Sequence, residues 1–382
     1  MIKVILSERE DGFYWENIYW GRSKEVAEID AAEFEKFANQ SKEDIKLVCC
    51  NSEGELKHII KAEHFDLNFL NRVCETAIAA RKIAKVDGWW LQRLSTESVL
   101  HYFNQPSQRT FLSFTRAAEI LGMRKQSVRD VSTSSYVKGE SEMDSLRTIS
   151  SYFKAIVCRH PSDIYDLFMV WVMTSSDREI PVINAGSGKS EHPTQGILDY
   201  YTVKESLKGE MEGRVFVYIG DCRRGRTVHS LAKIMALHKG TTAYFVAPEE
   251  LQIDEETENY IREKGTVVHK VSCPLREVVH LADVVYMTRV QDEHGGSGEY
   301  DPKYIFNLEM LDLMKEGSVL MHPMPKREEV DPRIDYLGRH PKVMYWRQQR
   351  NGMWCRVALL ACIFGKDEKI RRHYEKIKEA GK

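Results

Sequence analysis

The stretch RVFVYIGDCRRGRTVHSLAKIMALHKGTTAYFVAP, residues 214–248, constrains the fold more than any other part of the chain. An apolar run, a polar turn bracketed by glycines, a helical apolar period and a second apolar run follow one another. That order is a βαβ unit, in which parallel strands are joined by a helical crossover. The same alternation runs from about Leu67 onward. NFLNRVCETAIAARKIAK has the period of an amphipathic helix, and SVLHYF and AIVCRHP read as strands. ADVVYMTRVQ and GSVLMHPMP are two further strands whose last residues turn polar. The chain is therefore read as α/β, and its 382 residues, 42% of them hydrophobic, suit two packed domains better than one.

In open parallel sheets, ligands bind beyond the carboxyl ends of the strands. Here four strand ends deliver Arg159 with His160, the turn from Asp221 to Arg226, Arg289 with Gln291, and His322. Residues 1–65 read differently. KVILSERE and GFYWENIYWG suggest strands, DAAEFEKFANQ a short helix and DIKLVCCN another strand, giving a small α+β unit ahead of the α/β body. The aromatic cluster FYWENIYW is expected to be buried packing.

Balanced charge excludes a global pull toward nucleic acid or membrane, since 55 basic residues face 57 acidic ones for a net charge of −2. Anion binding must come from local clustering. No apolar run approaches the ~20 residues that span a bilayer. MIKVILSERE is unlike a secretion signal, and eight scattered cysteines argue against structural zinc or a disulfide framework. A reduced, cytoplasmic location is expected.

NQPSQRTFLSFTRAAEILGM, residues 104–123, places Ser107, Arg109 and Thr110 where a turn becomes a helix. A helix start offers orphan N–H donors and a positive dipole end, which suits phosphate. Arg109 adds a bidentate donor pair. Gln108, between them, is a bulky amide where a small residue would be expected. Read alone, the motif is equally an ordinary capped helix. In GSGKSEHPTQGILDYYTV, Pro193 suits a first helical turn, and His192 and Gln195 then flank the helix start. GSGK lacks the spacing of a phosphate loop. GDCRRGRTVHS lacks G-x-G-x-x-G, so it does not support a dinucleotide site, but it sets Arg226 at a helix start suited to a carboxylate. Arg289 and Gln291, two apart, share one face of an extended backbone. MHPMPK brackets Met324 with prolines, leaving carbonyls that a ladder cannot pair and an amine can use. STSSYVKGESEMDS reads as a polar surface loop.

In this order, PSQRTFLSF, SSYVKGES, RHP, HPTQGILDYYT, GDCRRGRTVHSL, MTRVQ and HPMPKREEVDP resemble the aspartate/ornithine transcarbamylase family, over about Phe65 to Gly365. The resemblance implies two doubly wound parallel-sheet domains joined by helices. We expect the extension at 1–65, a carbamoyl-phosphate domain at 66–200 completed by a helix at 350–382, and an aspartate-binding domain at 201–349. It further implies that Ser107, the Gln108 backbone, Arg109 and Thr110 hold phosphate. Thr110, Arg159 and His192 would address the carbonyl oxygen and Gln195 the amino end of the carbamoyl group. Arg226, Arg289 and Gln291 would take carboxylates, and the Met324 region the attacking amine. Ser134 and Lys138 would belong to a loop lent to a neighbouring subunit in a homotrimer or a higher assembly, and Glu140 would brace Arg109. The family usually has threonine where this chain has Gln108. Its ornithine branch usually has HCLP where this chain has HPMP, which favours aspartate. No metal or cofactor is implied, and no nucleic-acid or membrane partner. A different amine acceptor and a non-catalytic structural paralogue are the other readings.

Overall fold

The computed structural model describes residues 24–129, 140–188, 191–289 and 301–381, with backbone alone over 24–28. Two sheets organise them. The first contains β1 (Ser98–Phe103), β2 (Arg124–Val128), β3 (Ala155–His160) and β4 (Val182–Ser187) in the order β2-β1-β3-β4. The second contains β5 (Val215–Ile219), β6 (Thr242–Val246), β7 (Val267–Val271), β8 (Val284–Met287) and β9 (Val319–Met321) in the order β7-β6-β5-β8-β9. All these pairings are parallel. Each sheet is wound outward in both directions from its first strand. The winding direction reverses between β1 and β3 in one sheet and between β5 and β8 in the other. Such reversals open the crevices in which α/β proteins bind ligands.

Burial explains the strand compositions. β3 and β4 are buried at every residue, whereas the edge strands RKQSV (β2) and VVHKV (β7) are largely exposed or half-buried. The described residues divide into two units: 24–64, 68–194 and 356–381 form one, and 65–67 with 195–355 form the other. The helices named below are α1 (Lys24–Ala38), α2 (Lys42–Val48), α3 (Leu67–Val86), α4 (Gln108–Ile120), α5 (Glu142–Tyr152), α6 (Tyr165–Thr174), α7 (Pro193–Ser206), α8 (Arg226–Met235), α9 (Tyr345–Ile363) and α10 (Asp367–Glu379).

Residues 24–64 are not a separate body. Ala31, Phe34 and Phe37 of α1 join the core of the first unit, where the Phe34 ring meets Phe168 edge-on at 5.5 Å and tilts against Trp171 at 5.5 Å. Burying one phenylalanine this way contributes roughly 2–3 kcal/mol. The helix read in DAAEFEKFANQ is part of α1. DIKLVCCN, read as a strand, is instead mostly α2. Ser41 accepts a bond from the Asp44 amide at 3.1 Å, and Glu43 and Asp44 sit in the first turn. Those capping signals outweigh the short apolar run. The remaining strands read in the extension fall outside the described residues.

Downstream, Ile59 runs parallel to β4, donating to Val182 O at 2.8 Å and accepting from the Asn184 amide at 2.8 Å. The segment thus covers the β4 edge of the first sheet, as open edges require. Arg72 of α3 fastens two distant parts of the same unit. It donates to both carboxylate oxygens of Asp367 on α10, at 2.6 and 2.9 Å, and pairs with Glu55.

A buried acid lies beneath β1 and β3. Glu142, at the start of α5, is fully buried and accepts at Oε1 from the hydroxyls of Tyr102, at 3.1 Å, and Tyr165. Burial pushes its carboxyl up to about 7 against those two donors. The folded protein therefore holds a proton that the unfolded chain, at about 4.3, gives up, so stability is lost as pH rises through about 7. Glu142→Gln keeps the acceptor and never ionises. It should melt higher than the parent at about pH 8, by roughly 2 kcal/mol of stability, with the gap closing toward about pH 5. Thermal melts at both pH values check this; a gap independent of pH would contradict it.

Candidate active site

In the first unit, the crevice between β1 and β3 receives the start of α4. The Asn104 amide donates to Arg159 O at 2.9 Å, which holds the two strand ends together. Ser107 caps α4 from an extended backbone (φ −158°, ψ 98°), and its hydroxyl makes no capping bond. The first helical bond runs from Phe111 N to Ser107 O, so the amides of Gln108, Arg109 and Thr110 at the helix start lie outside the intrahelical ladder. Thr110 is buried and Ser107 half-buried, while the side chains of Gln108 and Arg109 are exposed.

Arg159, at the end of β3, is buried and donates through Nη1 to Ala185 O at 3.1 Å. It lies against Gly186, where a Cβ would stand 2.3 Å from Nη1 and 3.3 Å from His192 Cδ2. The glycine also has φ +112°, which other residues rarely adopt. Arg159 and His192 thus share one glycine floor. Asn184 builds that floor: its Oδ1 accepts from Gly186 N at 2.7 Å. Its Nδ2 donates to Asp166 at 2.8 Å, Ser187 at 2.9 Å and Ile60 O at 3.1 Å. His192 is buried just before α7, with its Nδ1 3.4 Å from Thr194 Oγ1. His160, next to Arg159, is a structural residue. Burial pushes its ring down to about 3, its Nδ1 accepts from Ser162 N, and it stacks on Tyr165 at 3.8 Å. Glu140 accepts from Ser145 at 2.9 Å.

In the second unit, the crevice between β5 and β8 receives the start of α8. Thr288 donates to Ile219 O through its amide at 2.8 Å and its hydroxyl at 2.9 Å. Gly220 passes so close that a Cβ there would stand 2.2 Å from Thr288 O. The turn after it is tied by Asp221, which accepts from Arg224 N at 2.9 Å. Arg226 then opens α8 behind Gly225, and Arg289 follows Thr288; both are half-buried. Two guanidinium groups therefore come from neighbouring strand ends, an arrangement suited to carboxylates.

The Met324 turn is held by a buried histidine. His322 Nδ1 accepts from Met324 N at 2.8 Å, so Nε2 carries the proton and donates to Glu329 at 2.8 Å. Burial favours the neutral Glu329 carboxyl, but His322 and the Arg327 amide hold it below its ordinary range. Met324 adopts a left-handed backbone, φ +65°. Gln348 Oε1 accepts from His322 N at 2.9 Å, and its Nε2 donates to Asp199 at 2.6 Å. Asp199 also accepts from Gln195 at 3.0 Å and from the Tyr286 hydroxyl at 2.6 Å.

The sequence profile of the "Aspartate/ornithine carbamoyltransferase, carbamoyl-P binding domain" matches residues 57–205, and that of the "Asp/Orn binding domain" matches residues 212–363. The chain belongs to the aspartate/ornithine carbamoyltransferase family. Among relatives within that family, the chloroplastic aspartate carbamoyltransferase 1 of Pisum sativum is 34% identical over 329 residues, covering 84% of this chain and 82% of that protein. The aspartate carbamoyltransferase catalytic subunit of Chromobacterium violaceum is 34% identical over 310 residues, covering 80% and 97%. The catalytic subunit of M. Jannaschii aspartate transcarbamoylase has a solved structure with TM-score 0.72 at 31% identity, covering 82% of this chain and 99% of that one. Aspartate transcarbamoylase of Trypanosoma cruzi, solved with N-(phosphonacetyl)-L-aspartic acid, gives TM-score 0.69 at 31% identity, covering 80% and 94%.

Within the first unit the structure gathers Ser107, Gln108, Arg109, Thr110, Arg159 and His192 around the β1/β3 crevice and the adjoining end of β4. Within the second it places Arg226 and Arg289 at the β5/β8 crevice, and Gln195 and Met324 on the hydrogen-bonded network through Asp199. Ser134, Lys138 and Gln291 lie outside the described residues. The sequence reading missed Asn184, Gly186 and Asp199. The signal for Gly186 was present in INAGS, a glycine at the end of a fully buried strand. All eight cysteines are free thiols. Among the described residues no helix is long and apolar enough to cross a membrane, and no cluster of three His, Cys, Asp or Glu is placed to hold a metal.

Proposed function

We propose that this chain transfers the carbamoyl group of carbamoyl phosphate to the amine of L-aspartate, giving N-carbamoyl-L-aspartate and phosphate in de novo pyrimidine biosynthesis. The observation that carries this reading is the α4 start beside Arg159 and His192, a phosphate cradle next to carbonyl-directed donors. The aspartate nitrogen attacks the carbonyl carbon, forming the new C–N bond. Thr110, Arg159 and His192 stabilise the oxyanion. The bond from carbon to the bridging oxygen then breaks, and phosphate leaves with the electron pair and accepts the amine proton.

Gln195 reads the amino end of the carbamoyl group; Arg226, Arg289 and Gln291 take the aspartate carboxylates; carbonyls around Met324 orient the amine. The substrates bring about two negative charges each, which five cations, Arg109, Lys138, Arg159, Arg226 and Arg289, offset on a chain of net charge −2. Positioning both reactants contributes roughly 7–11 kcal/mol to barrier lowering, and one well-aimed oxyanion donor about 3–4 kcal/mol more. Offered carbamoyl phosphate with aspartate, ornithine or putrescine, the protein should carbamoylate aspartate at least about tenfold faster. Preference for ornithine would overturn the assignment.

Lys138 and Ser134 complete the site from a neighbouring subunit, so the working form is a homotrimer in which each copy lends one loop and receives one. Mixing inactive Arg109→Ala and Lys138→Ala proteins should then restore up to about one third of parent activity, the share expected for one intact site per hybrid trimer. Mixtures that exchange subunits and stay silent would count against the shared site. The eight free thiols are consistent with a reducing compartment.

A further inference from the structure

We propose that Asp199 is a specificity-determining residue: it locks the Gln195 amide with its oxygen facing away from the carboxylate, so the enzyme selects an acyl phosphate bearing an N–H over one bearing a methyl group. This rests on the assignment of Gln195 to the amino end of the carbamoyl group. Asp199 follows Gln195 by one turn of α7, on the same helical face, and is fully buried. Its Oδ1 accepts from Gln195 Nε2 at 3.0 Å and from Gln348 Nε2 at 2.6 Å, and its Oδ2 accepts from Tyr286 Oη at 2.6 Å. Each of these contacts uses the carboxylate as acceptor.

Rotating the Gln195 amide by half a turn would set its Oε1 against Asp199 Oδ1, acceptor facing acceptor in a buried site. The carboxylate cannot swing aside without breaking with Tyr286 on β8 and Gln348 on α9. Gln348 is itself held by the His322 amide at 2.9 Å. Gln195 therefore presents an acceptor to the substrate. A carbamoyl amide satisfies it, whereas an acetyl group leaves it unpaired, which is how a polar site rejects an apolar near-isostere.

The test compares kcat/KM for carbamoyl phosphate and acetyl phosphate, with aspartate as acceptor, in the full-length protein and its variants. Asp199→Leu should shrink the ratio by at least about tenfold, losing on carbamoyl phosphate while acetyl phosphate changes by less than about threefold. Asp199→Asn should keep the ratio within about threefold, because its Oδ1 can still take both glutamine amides while its Nδ2 donates to the Tyr286 oxygen. If the leucine variant does not accumulate, Asp199→Ser serves in its place. Its hydroxyl both donates and accepts and so fixes neither orientation; the same fall in ratio is expected. Equal losses on both acyl phosphates, or an unchanged ratio, would show that Asp199 only supports the fold and overturn the proposal alone. A parent that forms no N-carbamoyl-L-aspartate would overturn the functional assignment and this proposal with it.

Discussion

Arg109→Ala should lower kcat/KM for carbamoyl phosphate by about 10³-fold or more while leaving the melting temperature nearly unchanged. The guanidinium sits at the second position of α4, at the positive end of the helix, and its side chain is exposed. Removing it takes away a charge-assisted, bidentate grip on a leaving group that gains charge as the C–O bond breaks. One oxyanion donor is typically worth about 10² to 10³ in kcat, and a full guanidinium facing a dianion exceeds that. Gln108→Thr should change the same constant by less than about threefold, because that position acts through its backbone N–H. Steady-state kinetics on both variants separate the two contributions. A silent parent revived by Gln108→Thr would mean that the glutamine side chain blocks the phosphate site.

Gly186→Ala should cost about 10²-fold in kcat, although alanine adds only one carbon. That carbon would stand 2.3 Å from Arg159 Nη1, so the guanidinium must retreat by about 1 Å to reach ordinary contact. The retreat would also break the bond to Ala185 O, and His192 is crowded at 3.3 Å. At φ +112° an alanine adds backbone strain of roughly 1–3 kcal/mol, so the variant should melt lower as well. A double-mutant cycle distinguishes catalytic displacement from general destabilisation. If Gly186 acts through Arg159, Gly186→Ala combined with Arg159→Ala should be about as slow as Arg159→Ala alone. Fully additive losses would place the effect elsewhere.

Much of this arrangement was legible in the sequence because its causes are local. The α/β alternation, the α4 and α8 starts, and the arginines at the end of β3 and after β8 follow from strand runs that end in polar residues. Elements whose causes are tertiary were hidden. RKQSV and VVHKV are edge strands, so they need no apolar pattern, and VINAGS ends in the small residues that the Arg159 floor requires. DIKLVCCN misled through its apolar run, whereas its Ser-x-x-Asp cap carried the true signal. Asp199 was invisible for another reason: its partners Tyr286 and Gln348 lie far along the chain, and no spacing rule connects them.

The pairing of Arg72 with Asp367 bears on how the polypeptide matures as it leaves the ribosome. Arg356 lies over the Phe114 ring at 5.1 Å, and His373 stacks on Trp90 at 3.9 Å, so three contacts tie residues 356–381 back to segments made early in synthesis. Residues 195–355 emerge in between as one unbroken stretch. Domains fold as units during translation, usually beginning with the N-terminal one. Here that order is inverted: the unit begun first must wait for the last segment to appear, while the unit begun second already has all its residues. During that interval the nascent chain carries an unfinished core, and it is there, before any substrate is met, that chaperones would find their longest opportunity.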